Sequence, residues 1–227
     1  MIMKYDKEIA KRVKSSLSNL YVVHKGVASL KHGIESGHEW IEFFPTDFIY
    51  SFFAFNSLYN IDWDNSLRGR GTLRGYGYRA TEKEKQNFYL DFCFSDDKFT
   101  DIYKDYCRDY VSRRPNVMES LRLVKQEKYM RPNLRDDFIE ACNELIEEGL
   151  FNKEIVTLIM EFIYKVRNNI FHGAKDLEDM KKIYQQERLK IYASFVIALN
   201  QMAFSYLDYI IDPNTIKTRI KQEFSSL

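Results

Sequence analysis

The chain has 227 residues, with 34 basic and 33 acidic side chains, a formal net charge of +1 and 45% hydrophobic content. That length and apolar content suffice for one sizeable core and exclude disorder throughout, while the balanced charge excludes a strongly basic nucleic-acid binder, so any such surface must be local. Three scattered cysteines, Cys93, Cys107 and Cys142, lack the spacing of a zinc or redox motif and read as reduced thiols within helices. Residues Met1 to Glu8 lack the apolar core of a secretory signal, and no run of about 18 uncharged apolar residues occurs, so a cytoplasmic protein without a membrane segment is expected.

From Lys4 to Lys31 the apolar residues Ile9, Val13, Leu17, Leu20, Val23, Val27 and Leu30 recur three or four apart, the pattern of one or two amphipathic helices. Gly33 and Gly37 mark their end, and His24, His32 and His38 match no metal-binding spacing. Residues 1–40 are expected as an N-terminal helical extension packed on a bundle, residues 41–212 as the helical domain, and residues 213–227 as a tail.

Pro45-Thr46-Asp47 is a start signal for a helix over Phe48 to Tyr59. Phe48, Ile49, Phe52, Phe53, Phe55 and Leu58 make it apolar nearly all round, which predicts a central element. Asn56 is its notable polar residue, expected to hold a backbone group within the bundle or to reach the helix that carries the functional residues. The next segment, Asn65 to Arg79, packs four glycines and four arginines without an acidic residue and reads as a loop. Arg68, Arg70 and Arg74, with Tyr76 and Tyr78 nearby, suit phosphate contact and base stacking, and suit a solvated linker equally well.

Thr81-Glu82-Lys83-Glu84 is a capping box that opens a helix running to Phe94, and a second helix is predicted from Asp96 to Val111. From Arg108 to Arg135 eight basic residues face three acidic ones, whereas from Asp136 to Glu161 eight acidic residues face one lysine. Such polarity either steers an anionic partner or solvates two helix faces. A helix from Leu134 to Glu148 should close at Gly149, and Asn152 caps the next one. A final helix from Lys181 to Ile211, ended by Pro213, carries an apolar pattern expected to pack against its predecessor.

The helix opened by Asn152 ends in Tyr164-Lys165-Val166-Arg167-Asn168-Asn169-Ile170-Phe171-His172-Gly173, where chemistry is most legible. Ile155, Leu158, Ile159, Phe162, Val166 and Ile170 share the core face. Asn168 and His172 are four apart and adjacent on the polar side, with Arg167 about 140° around from His172. Imidazole exchanges protons near neutral pH and guanidinium grips phosphate in a fork, so the pair can act on RNA, which supplies its own 2′-hydroxyl nucleophile. On spacing alone the same residues also read as a surface charge and a helix cap.

Arg167-Asn168-Asn169-Ile170-Phe171-His172 resembles the Arg-x4-His motif of HEPN domains in its R-N-x-x-x-H form, and Phe48 to Asn60 is similar to that family's aromatic-rich early helix ending in Asn-x-Leu-Tyr. The likeness covers roughly residues 45 to 210. It implies an all-α, HEPN-like helical bundle, often dimeric, whose active members are metal-independent endoribonucleases of toxin–antitoxin and antiviral defence systems. On that basis His172 is the expected acid–base residue, Arg167 the phosphate ligand and Asn168 the residue that orients the histidine or the substrate, with Asn169 a further substrate contact. RNA is the expected substrate, cleaved to 2′,3′-cyclic phosphate and 5′-hydroxyl ends. Met160, Tyr164 and Phe171, opposite the core face, are expected to meet something apolar, either another helix of the same chain or, as the resemblance implies, a second copy in a homodimer. An antitoxin or defence-system protein is a further expected partner. Ala174 stands where members silenced by a nucleotidyltransferase carry tyrosine, which counts against regulation by modification there. The chain shows no Gly-x-Ser-x-Gly, no His-Glu-x-x-His and no carboxylates spaced for two metals, so no metal or cofactor is expected. The alternative is a non-catalytic HEPN-like module that binds a nucleotide, an RNA or a protein and uses Arg167 and His172 structurally.

Overall fold

A computed structural model describes residues 46–61, 80–95, 97–107, 130–172 and 182–210, with single positions at 12, 13, 15–17, 19, 121 and 124. Among these residues the fold is all-α: α1 (Thr46–Tyr59), α2 (Glu82–Cys93), α3 (Asp97–Cys107), α4 (Pro132–Ile146), α5 (Lys153–Phe171) and α6 (Ile183–Ile210), with no strand. The Gly/Arg-rich loop with Arg68, Arg70 and Arg74, the three N-terminal histidines and the tail lie outside the described residues. The N-terminal segment meets the bundle where Ser57 Oγ donates to Ser15 Oγ at 3.0 Å.

Local chemistry sets the helix starts. Thr81 Oγ1 accepts from Glu84 N at 3.3 Å while the Glu84 carboxylate accepts from Thr81 N at 2.7 Å, the reciprocal pair foreseen for α2. Pro132 opens α4, where its missing N–H costs nothing. Asn152 Oδ1 accepts from Ile155 N at 2.9 Å and opens α5. Between these two helices Gly149 takes a φ of 66°, the left-handed conformation that a side chain disfavours.

α1 is central, as its composition requires. Phe48, Phe52, Phe55, Leu58 and Tyr59 are at most 1% exposed. The long helix α6 lies along α1 and α3. Asn200 Nδ2 donates to the Ser51 carbonyl at 3.1 Å, and Tyr89 Oη donates to the Leu199 carbonyl, so polar contacts as well as apolar ones tie α6 to α1 and α2. The last helix does meet α5, through Tyr192 against Phe162, but its main neighbours are α1 and α3, and α5 packs chiefly on α4. Periodicity shows that a face is buried, not which neighbour buries it. The junction is aromatic. Phe138 of α4 and Phe162 of α5 stack with centroids 4.1 Å apart, and the Tyr192 ring stands edge-on to both at 5.7 and 5.6 Å. Cys93 and Cys142 are buried in the core.

Candidate functional site

α5 turns Ile155, Val156, Ile159, Met160, Phe162, Ile163, Val166 and Asn169 inward. Its last two turns leave Tyr164, Arg167, Asn168 and Phe171 on the other side, partly or fully open to solvent. Arg167 packs its guanidinium over three rings: its central carbon is 4.9 Å from the centroid of Phe171, 5.5 Å from Phe52 and 5.7 Å from Tyr164. Its Nη1 donates to Asn168 Oδ1 at 2.8 Å. No carboxylate among the described residues pairs with it, so its charge is held by aromatic faces and an amide and is not cancelled.

His172 is the C-terminal cap of α5 and is exposed. Its backbone N–H donates to the Asn168 carbonyl at 2.9 Å. Asn168 thus holds Arg167 with its side chain and His172 with its backbone, and brings the three motif residues to one end of one helix. Asn169 behaves differently: at 7% exposure it lies on the same side as Val166 and Phe162, which removes it from a substrate-facing position.

A carboxylate that the motif does not include completes the arrangement. Glu82, in the first turn of α2, accepts the Tyr59 hydroxyl on Oε1 and the Tyr164 hydroxyl on Oε2, the latter at 2.6 Å. Burial raises the pKa of both phenols, and the bond to Glu82 with its negative charge raises them further, so both are neutral donors at physiological pH. Tyr59 belongs to the Asn-x-Leu-Tyr signature, and it is this tyrosine that communicates with α5. Asn56 accepts from Asn60 Nδ2 at 2.7 Å through its carbonyl and at 2.9 Å through Oδ1, and does not reach the motif helix.

No known protein family, curated protein or solved structure matches the chain.

Beside the motif, α2, α4 and α5 enclose an open groove of about 750 Å³ with Tyr164 and Asn168 in its wall. Leu90, Leu134 and Met160 give it an apolar floor, and Gln86, Asn87 and Asn133 bring amides. Lys83 and Glu161 answer each other at 2.7 Å, while Arg131 and Lys165 add cations and Asp137 an anion. The three residues expected at a dimer interface separate here. Met160 is 3% exposed and belongs to the protomer's own core, a correction that follows from α2 and α4 flanking α5 on that side. Tyr164 is tied to Glu82 and rests 6.3 Å from Phe52. Phe171 is 43% exposed and lies 5.6 Å from Phe53. Among the described residues no group of His, Cys, Asp and Glu is placed to hold a metal ion, and no helix is long and apolar enough to cross a membrane.

Proposed function

We propose that the chain is a HEPN-like, metal-independent endoribonuclease, acting in the cytoplasm as a toxin or antiviral-defence effector. The observation that carries this reading is the double role of Asn168, which gathers at one helix end an exposed histidine and an arginine with no carboxylate partner among the described residues. Arg167 would bind a non-bridging oxygen of the scissile phosphate and offset the charge that grows in the transition state. His172 would take the proton of the ribose 2′-hydroxyl as its oxygen attacks phosphorus. The P–O5′ bond then breaks and the leaving 5′-oxygen gains a proton, which gives a 2′,3′-cyclic phosphate and a 5′-hydroxyl. One imidazole begins in one protonation state, so a second copy of the chain supplying a second His172 accounts for both transfers; exposed Phe171 beside the motif suits such a homodimer. The adjacent groove, with its apolar floor and amide walls, suits the flanking nucleotides.

The test is incubation of purified protein with single-stranded RNA in EDTA beside His172→Ala and Arg167→Ala, with end-group analysis of the products. Cleavage in EDTA to cyclic phosphate ends, lost in both variants, is the expected result. Cleavage that needs a divalent ion, or survives the His172 change, refutes the mechanism. One observation favours a non-catalytic module: Arg167 Nε is buried without a hydrogen-bond partner among the described residues, and the guanidinium lies against three rings, as in a structural role. RNA binding without cleavage, unchanged in His172→Ala, would select that reading.

A further inference from the structure

We infer that Glu82 sets the pose of Arg167 from a distance, acting through Tyr164. This rests on the reading of Arg167 as the phosphate ligand. An arginine with that task must be fixed in orientation and must keep its charge. A carboxylate in direct contact achieves the first at the expense of the second, because the salt bridge competes with the phosphate.

The structure shows a different solution. The Tyr164 ring lies under the Arg167 guanidinium, 5.7 Å from its central carbon, and the Tyr164 hydroxyl donates to Glu82 Oε2 at 2.6 Å, while Arg167 Nη1 donates to Asn168 Oδ1 at 2.8 Å. Tyr59, 1% exposed and rooted in α1, occupies the other carboxylate oxygen. A carboxylate only accepts, so Tyr164 must point its proton at Glu82, which fixes the hydroxyl and with it the ring that carries it. That ring is one of the three faces under Arg167. Glu82 thus steadies the guanidinium without touching it and leaves its charge for the phosphate. Thr81 and Glu84 already cap α2, so the start of that helix does not depend on Glu82.

Glu82→Gln keeps the shape of the side chain but presents an N–H₂ to one of the two hydroxyls, and Tyr164→Phe keeps the ring but removes its bond to Glu82. Two measurements apply to both variants and to the double variant. The first is the side-chain Nε–Hε resonance of Arg167 in ¹⁵N NMR, assigned by its absence in Arg167→Lys; burial of Nε shields this proton from exchange. The second is kcat and KM on a single-stranded RNA oligonucleotide in EDTA. The expected result is a shifted or broadened Arg167 resonance in each variant, with kcat down about tenfold to a hundredfold and KM nearly unchanged, the cost of misplacing a catalytic group by a fraction of an ångström. Both variants break the same bond, so the double variant should be no worse than the worse single one. An unmoved Arg167 resonance, or losses that multiply in the double variant, overturns the inference. If the wild-type protein cleaves no RNA the ribonuclease reading fails, and the NMR arm still decides whether Glu82 positions Arg167.

Discussion

Phe162 is where α5 is anchored, and replacing it with alanine tests the packing that supports the motif five residues further on. The side chain is 0% exposed, its ring stacks on Phe138 at 4.1 Å with 18° between planes, and the Tyr192 ring meets it at 5.6 Å and 68°. Truncating a buried phenylalanine to alanine costs about 3–5 kcal/mol in lost transfer energy and residual cavity. The upper half of that range applies here, because the two facing rings belong to different helices and no single shift fills the space. Set against a whole-domain stability of about 5–15 kcal/mol, the change leaves the fold marginal. Phe162→Leu keeps most of the volume and loses the ring pairing, for roughly 1–1.5 kcal/mol. Urea unfolding followed by far-ultraviolet circular dichroism measures both. With a slope of about 2 kcal/mol per molar, the alanine variant should lose about 2 M in midpoint. A cost below about 2 kcal/mol at unchanged slope would refute the arrangement of the three rings.

Other perturbations probe the helix ends and the buried acids. Asn152→Ala removes the acceptor for Ile155 N and should lower stability by about 1 kcal/mol, read by the same unfolding curve, whereas Asn152→Ser should cost little. Gly149→Ala meets no atom within 4 Å but must hold a φ of 66°, so the expected loss is about 1–2 kcal/mol and purely conformational; Gly149→Asn should recover part of it. Burial pushes the Cys93 thiol up to about 12 and raises the phenols of Tyr59, Tyr89 and Tyr164. Groups whose folded pKa is raised hold their protons more tightly when folded, so their contribution is complete below the unfolded pKa values and is lost as pH climbs towards the folded ones. Melting temperature should therefore fall once the pH passes the ordinary thiol value of 9.0, and Cys93→Ala should flatten the first part of that decline. A melting temperature constant through that alkaline range contradicts the burial of these groups.

The parts of this fold that were legible in the sequence are those written in neighbouring residues. The Thr81 to Glu84 capping box, Asn152 before the apolar run, Gly149 after one, and the all-round apolar α1 each state their role within a few positions. The gathering of Arg167, Asn168 and His172 was legible for the same reason, since helix spacing alone brings them to one end. Glu82 was not. It sits in the first turn of a helix, where an acidic residue has a sufficient local explanation in the helix dipole, and its acceptor role comes from Tyr164, 82 positions away. Met160 was misjudged because a residue opposite the core face of one helix is exposed only if nothing else lies there, and α2 and α4 line that side. The neighbours of α6 were hidden likewise, because nearly its whole circumference is apolar.

The hydrogen bond from Asn200 to the Ser51 carbonyl spans 149 positions of chain. At ribosomal speeds of about 5–20 residues per second, α1 waits roughly 7–30 s after synthesis for the helix that covers it. During that interval Phe48, Phe52 and Phe55 lack their final neighbours and call for shelter by a chaperone. The same delay governs the chemistry, because α1 carries Tyr59, which steadies Glu82, and places Phe52 beneath Arg167. A nascent chain that has made Arg167 and His172 but not α6 holds α5 on α4 without the Tyr192 ring that closes their junction. The bed of rings under Arg167 is thus finished only when the last helix has been made, although the arginine itself was made long before.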